Sequence, residues 1–334
     1  MSFSERNAQK LSPIAHGIAT ALAYGLGRPL IKVLDAIGAY PRFARVFRRF
    51  SRGFRHKLYP DIEKRGFGDY LPTQHDVLVC AYPKSGTNWM LQMAYQIAFL
   101  GRGDFEHIHE VVPWPDAFLQ TIPVTVRDES VAKASPTGLR VIKTHLAWDE
   151  IPYSPDAHYF CVFRDPKDVF VSSYFWARDL VLGPMMPTVK SWHTLFLTKD
   201  AFIHGSWAAH LHSYWQARDL ENVLLVSFGQ MKTDQPAVIC QIADFVGVEL
   251  TPQRFALVDE KSSFKYMKSV GYKFDPPPIL PWSSSSTTML RKGETGAASE
   301  LLTEQQQRQI DDFCRSALQE MGSDFPYDEW FVST

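Results

Sequence analysis

Short solid apolar runs and longer stretches of helical period alternate along this chain, and the runs mark where strands are expected. Val77 to Ala81 is continuous and apolar and is ended by Pro83 and Gly86; Leu139 to Lys143, His158 to Phe163 and Val223 to Phe228 are the further short strands expected. Runs this short, bounded by turn residues, read as buried strands. The first is followed by a helical stretch whose apolar face carries Trp89, Met93 and Ile97, with Thr87 placed to cap it and an end near Gly101. After the third, Asp165 as N-cap, Pro166 in the first turn and Asp168 as capping-box acid start another helix. A helix from about Pro236 to Val246 is stopped by Gly247. A last one, capped by Thr303 with Gln306, turns Ile310, Phe313, Ala317 and Met321 inward before Gly322. Strands alternating with helices predict an α/β domain around a mostly parallel sheet.

The first seventy or so residues follow a different pattern. Ile14 to Ile37 is rich in Ala, Leu and Ile, but Gly17, Gly25, Gly27, Arg28, Pro29, Lys32 and Asp35 make it too polar and too broken for a membrane span. Two helices, Ile14 to Tyr24 and Leu30 to Ile37, are expected instead. Between Arg42 and Lys57, Phe43, Phe47, Phe50 and Phe54 share one helical face, and Arg42, Arg45, Arg48, Arg49, Arg52, Arg55 and Lys57 cover much of the rest. Three readings fit: a helix packed on the main domain with a solvated basic face, an interfacial helix on an anionic membrane with snorkelling arginines, or a partner-binding helix. Residues 1–70 are expected to form a helical extension packed on or beside a main domain spanning 71–334.

Composition narrows the class. A chain of 334 residues can bury a sizeable core in one large α/β domain, and 22 prolines with 19 glycines are ordinary for it. The balance of 35 basic against 36 acidic residues argues against a general nucleic-acid binder. Cys80, Cys161, Cys240 and Cys314 lie far apart in apolar contexts and read as buried thiols of a reduced compartment. The N-terminus lacks the pattern of an export signal, so a cytoplasmic protein is expected.

Chemistry concentrates where strands end. In Cys80 to Trp89, a strand hands directly to a helix through a Ser/Gly turn. Backbone N–H groups at such a helix start converge on one point, with the Ser85 and Thr87 hydroxyls and the Lys84 ammonium beside it. The lysine precedes the single glycine, so the spacing is not that of the nucleotide triphosphatase loop. A phosphate or sulfate site and a plain strand-turn-helix both fit this stretch taken alone. The second strand delivers Lys143, Thr144 and His145 to its carboxyl end, the end at which open α/β sheets bind ligands. Histidine titrates near neutrality, as a general base requires, although a lone histidine is more often structural. His107 and His109 stand two apart without a third ligand at a recognisable spacing, so no metal is expected there, only loop and pocket wall.

Four blocks in order, YPKSGTNW, VIKTHL at Val141 to Leu146, FRDPKDVFVSSYFW at Phe163 to Trp176 and RKGETG at Arg291 to Gly296, resemble the signature blocks of the cytosolic-type sulfotransferases from about Leu71 onward. That resemblance implies a three-layer fold with a P-loop-like strand-loop-helix. It also implies sulfuryl transfer from 3'-phosphoadenosine 5'-phosphosulfate, with adenosine 3',5'-bisphosphate as product. His145 becomes the general base, Lys84 neutralises the leaving 5'-phosphate with Ser85, Gly86, Thr87 and Asn88 around it, and Lys143 touches the reacting sulfate. Arg164 and Ser172, completed by Arg291, Lys292 and Gly293, become the 3'-phosphate clamp. Trp89, Ser262 and Phe264 contact the adenosine, and Phe228 stands where relatives usually have a hydrogen-bonding tyrosine.

After Gly293 the chain departs from the family pattern, and the usual dimer segment is not recognisable. Val181 to Phe196, with Met185, Met186, Trp192 and Phe196, reads as a lid over an apolar or amphiphilic alcohol or phenol acceptor, and Gly271 to Ser286 as a mobile loop over the site. A nucleotide kinase would show a Walker lysine or a metal-binding aspartate after a strand, and neither is present. A non-catalytic adenosine-bisphosphate binding module could dispense with His145.

Overall fold

The computed structural model describes residues 13–47, 67–117, 124–199, 205–276, 280, 282 and 289–332. Its centre is a four-stranded sheet of β1 (Asp76–Ala81), β2 (Arg140–Thr144), β3 (His158–Phe163) and β4 (Val223–Ser227), in the order β2-β1-β3-β4. All three pairings are parallel, with Cys80 opposite Thr144, Ala81 opposite Val162 and Phe163 opposite Ser227. The segments that follow the four strands therefore leave along one edge. The sheet grows in opposite directions from β1, which makes that edge the expected place for a ligand.

Both faces of the sheet are covered, which is why the middles of its strands are apolar. Val77, Val79 and Ala81 face α4 (Thr87–Ala98) and α9 (Gln235–Phe245), whereas Leu78 and Cys80 face Tyr159 and Tyr214. Further cover comes from α5 (Pro166–Trp176), α7 (Trp207–Trp215) and α12 (Glu304–Glu320), the last opened by the capping box of Thr303 and Gln306. Short helices α8 (Phe228–Thr233), α10 (Pro252–Ser262) and α11 (Phe264–Ser269) close the edge beside β4 and α4. At the opposite edge Asp76 and Arg140 form a fully buried ion pair (2.7 Å), completed by Tyr70 and by the Thr73 N–H (2.7 Å) on the carboxylate.

The N-terminal stretch forms one helical run where two helices are expected. It is built from α1 (Pro13–Leu22), π-helical turns over Ala23–Gly27 and α2 (Arg28–Ala36), and α3 follows at residues 40–47. The reason is local. The Arg28 N–H reaches back to the Ala23 carbonyl, and this wider turn accommodates Pro29, which has no N–H to give and would break an α-helical interior. The inner side, Ile31 and Tyr40 with Leu34, Phe43 and Ala44, packs into the core around Phe170 and Trp192. Phe43 thus points inward, while Phe47, stacked on it at 5.9 Å, is exposed; the remainder of Arg42 to Lys57 lies outside the described residues.

Other expectations also change. Trp192 and Phe196 do not line a lid, because α6 (Val189–Phe196), capped by Thr188, buries them against α5. Met185 and Met186 are half-buried beside it. Asp168 does not cap its own helix but accepts from the Gly296 and Ala297 N–H groups (3.2 and 2.9 Å) and from Arg164. Cys240 is exposed, while the other three cysteines are buried and all four are free thiols. In the loop from Gly271 to Ser286, residues 277–279, 281 and 283–286 lie outside the described set.

Candidate active site

The turn between β1 and α4 is held in a conformation that few residues adopt. Lys84 has φ 74° and Gly86 has φ 101°, and a Cβ on Gly86 would stand 2.6 Å from the Phe228 ring. Glycine is required there for both reasons. Gly86, not Thr87, occupies the N-cap position of α4 and offers no side-chain cap. The Thr87 hydroxyl is instead left over, as is that of Ser85: both oxygens are buried without a protein partner at the helix start. An unsatisfied buried hydroxyl costs about 1–3 kcal/mol, so two of them beside a helix N-terminus mark a place built for an oxyanion.

Two lysines bring charge to this place. Burial, and then the Arg164 guanidinium, pull the Lys84 pKa down to about 7. Burial likewise brings Lys143 to about 7, with Lys84 lowering it and Asp116 opposing. Tryptophans flank both: Lys143 Nζ lies 3.4 Å from the centre of the Trp114 ring, and Lys84 Nζ 5.8 Å from that of Trp176.

His145 is buried immediately after the end of β2. Its Nδ1 lies 2.6 Å from the Ala81 carbonyl, an acceptor only, so Nδ1 donates, and in the neutral ring the lone pair is then on Nε2. Its backbone N–H donates to Asp116 (2.9 Å), and the Trp114 ring meets the imidazole edge-on at 5.4 Å.

A second cationic group lies beside Lys84. Arg164 donates to the Glu294 carbonyl (2.6 Å) and packs over Phe228 at 4.2 Å, and its Nε is buried without a partner. Ser172 is half-buried on α5; on the same face one turn later, Phe175 lies under the Arg291 guanidinium at 4.4 Å. Arg291 and Lys292 are both held by Glu300, at 2.8 and 3.1 Å. Gly293, at φ 62°, packs so closely on Phe264 that a Cβ would meet the ring at 2.2 Å. Trp89 donates through its indole to the Ser262 carbonyl (2.7 Å) and stands edge-on to Phe228, while the buried Ser262 hydroxyl has no partner. Asn88 is half-buried in the first turn of α4.

The expected site residues thus arrive at one edge of the sheet from six parts of the chain. Orphaned hydroxyls at Ser85, Thr87 and Ser262, the orphaned Arg164 Nε and the two lysines fit a nucleotide carrying several anionic groups.

Sequence reasoning passed over Asp116 and Glu300 and undervalued Trp114, His107 and His109. Both histidines are buried in a short turn: His107 donates to the Asp275 carbonyl (3.0 Å), and His109 stacks on Trp114. Burial brings His107 down to about 4 and His109 well below its usual range, so both are neutral imidazoles. Among the described residues no group of side chains could hold a metal ion. The proline-flanked Trp114 was the available signal; Asp116, two residues on, carried none, because its partner is a backbone N–H distant in sequence.

A family model for the sulfotransferase domain matches residues 74–322. The 3-beta-hydroxysteroid sulfotransferase of Cavia porcellus is 27% identical over 250 residues, 73% of this chain and 82% of its own length. Among solved structures, mouse sulfotransferase SULT7A1 complexed with PAP has a TM-score of 0.59 at 24% identity, covering 79% of this chain and 89% of that one. Retinol dehydratase in a complex with retinol and PAP has a TM-score of 0.61 at 21% identity, over 80% and 86% of the two chains. With a family match over most of its length and the same fold around the strand-loop-helix just described, this chain belongs to the sulfotransferase family and is an enzyme dependent on 3'-phosphoadenosine 5'-phosphosulfate.

Proposed function

We propose that the protein sulfates the hydroxyl of an apolar or amphiphilic small alcohol, with His145 as general base. The observation that carries this reading is the Nδ1–H bond from His145 to the Ala81 carbonyl, which fixes the tautomer with Nε2 as proton acceptor among two buried lysines. When bound, 3'-phosphoadenosine 5'-phosphosulfate supplies the sulfuryl group that is transferred. Lys84, with the Ser85 to Asn88 turn, would hold its 5' side and offset charge on the leaving phosphate. Lys143 would hold the sulfuryl oxygens. Arg164, Ser172, Arg291, Lys292 and Gly293 would take the 3'-phosphate, and Trp89, Phe228, Ser262 and Phe264 the adenosine. His145 would take the acceptor's proton through Nε2, and Asp116 keeps its backbone in place. Proton transfer of this kind contributes about 10²- to 10⁴-fold in rate.

Apolar acceptors are favoured by the two tryptophan rings beside the lysines. Such walls gain roughly 25 cal/mol per Å² of apolar surface removed from water and offer few partners to many hydroxyls. The names of relatives, a hydroxysteroid sulfotransferase and a retinol-bound dehydratase, point the same way. An acceptor series graded in chain length, assayed with labelled donor and with product mass determined, tests this. Apparent acceptor affinity is expected to rise with added methylenes, and a preference for free sugars would refute it. His145→Ala is expected to lose about 10²- to 10⁴-fold in kcat with unchanged affinity for adenosine 3',5'-bisphosphate; a variant within a few fold of wild type would remove His145 from the mechanism.

A further inference from the structure

We infer that the outward side of the N-terminal helices is a docking surface for anionic lipid, lying in the plane of the membrane. Ile14, Ile18, Leu22, Leu26, Leu30, Val33 and Ile37 recur every three or four residues, and each is between 50% and 76% exposed. A spacing of four overshoots the α-helical turn, and the wider π turns at Ala23–Gly27 take back part of that drift, so the apolar residues stay in one stripe. The stripe is not a spare core face, because Ala23, Ile31 and Leu34 already serve the core from the other side. It runs for roughly 36 Å and presents about 700 Å² of apolar surface, beyond the few hundred Å² usual for a monomer.

Charge identifies the occupant. Among the described residues, these helices carry four exposed cations, Arg28, Lys32, Arg42 and Arg45, against one acid, Asp35, in a chain whose net charge is -1. The Asp35 carboxylate is itself engaged by the Thr188 N–H and hydroxyl at 3.1 and 3.0 Å. An apolar stripe beside cations matches acyl chains with anionic headgroups. A second copy would set the same cations against each other. Among the described residues no helix is long and apolar enough to cross a membrane, so the run lies on the surface.

Sedimentation of the full chain with vesicles tests the inference without any turnover, so its failure is separate from failure of the proposed reaction. With phosphatidylcholine vesicles containing about 30% phosphatidylserine, binding is expected at least tenfold above that to phosphatidylcholine alone, and weakened by salt. Leu26→Glu with Val33→Glu, both at exposed positions, should reduce it about tenfold or more at an unchanged melting temperature. Should that pair fail to fold, Arg42→Glu with Arg45→Glu decides by losing the phosphatidylserine dependence. Wild-type protein that stays in the supernatant would overturn the inference. So would glutamate variants that sediment like wild type, or a dimer of the wild-type chain that the glutamate pair dissociates.

Discussion

Filling the anion site should draw protons from solution, because the free chain holds Lys84 and Lys143 at about 7, far below an ordinary lysine. Burial does most of this, and the neighbouring cations add to it. A bound phosphate sets an opposite charge against Lys84 that outweighs its burial and the neighbouring cations and moves it back toward its usual value of about 10.4. At pH 8 a lysine with pKa 7 is roughly nine-tenths neutral when free and almost wholly charged in the complex, so Lys84 alone takes up about 0.9 proton. Lys143, in the same field, adds a further fraction, for about one to two protons in all. The sign follows: these groups bind protons more tightly in the complex, so affinity is full below pH 7 and falls above it, by up to about tenfold per unit for each lysine. Calorimetric titration of adenosine 3',5'-bisphosphate at pH 8, in two buffers of different ionisation enthalpy, reads the uptake directly and avoids phosphate ionisation near pH 6. Lys84→Met should lower the uptake by about one proton. Identical heats in the two buffers would refute the argument.

Three further outcomes are expected. Gly86→Ala must place a Cβ against Phe228 at positive φ, so thermal unfolding and nucleotide titration should show a loss of about 1–3 kcal/mol in stability together with weakened binding. Glu300 occupies Arg291 and Lys292 where a phosphate is proposed, so Glu300→Gln should tighten adenosine 3',5'-bisphosphate severalfold in calorimetry and leave adenosine 5'-monophosphate unchanged. Arg140→Met strands the buried Asp76 carboxylate, and denaturant titration should register a loss of about 3–5 kcal/mol, with nucleotide affinity unchanged in the folded fraction.

The parts of the fold legible in the sequence were those fixed by neighbours in the chain. The four strands lie within a residue or so of the positions expected for them, because each has a short apolar centre bounded closely by polar or turn residues. Thr303 with Gln306 was readable for the same reason, since a capping box spans four residues. What escaped was set by distant partners. Asp168 has the spacing of a capping acid, yet it is claimed by Gly296 and Ala297, and Thr87 lost the cap to Gly86 because the tight approach of Phe228 dictates the turn. Trp192 and Phe196 look like a lid in a sequence interrupted by Gly183, Pro184 and Pro187, but one turn of α6 folds them under α5. Of the site, the residue types at strand ends were visible, whereas the orphaned hydroxyls and the lowered lysines exist only once the chain has closed over them.

The bonds that Arg164 and Asp168 make to Glu294, Gly296 and Ala297 also bear on the order of events during synthesis. The strand-loop-helix and His145 leave the ribosome before the loop that bears Arg291, and the sheet can pair as soon as β4 follows. The loop bearing Arg291, and the carboxylate of Glu300 that holds it, are translated only after all four strands. A nascent chain can therefore have its sheet assembled while the cationic clamp is still half-made and nucleotide cannot yet be held in full. Ligand binding then becomes a late checkpoint, reporting that the two ends of a long loop have met.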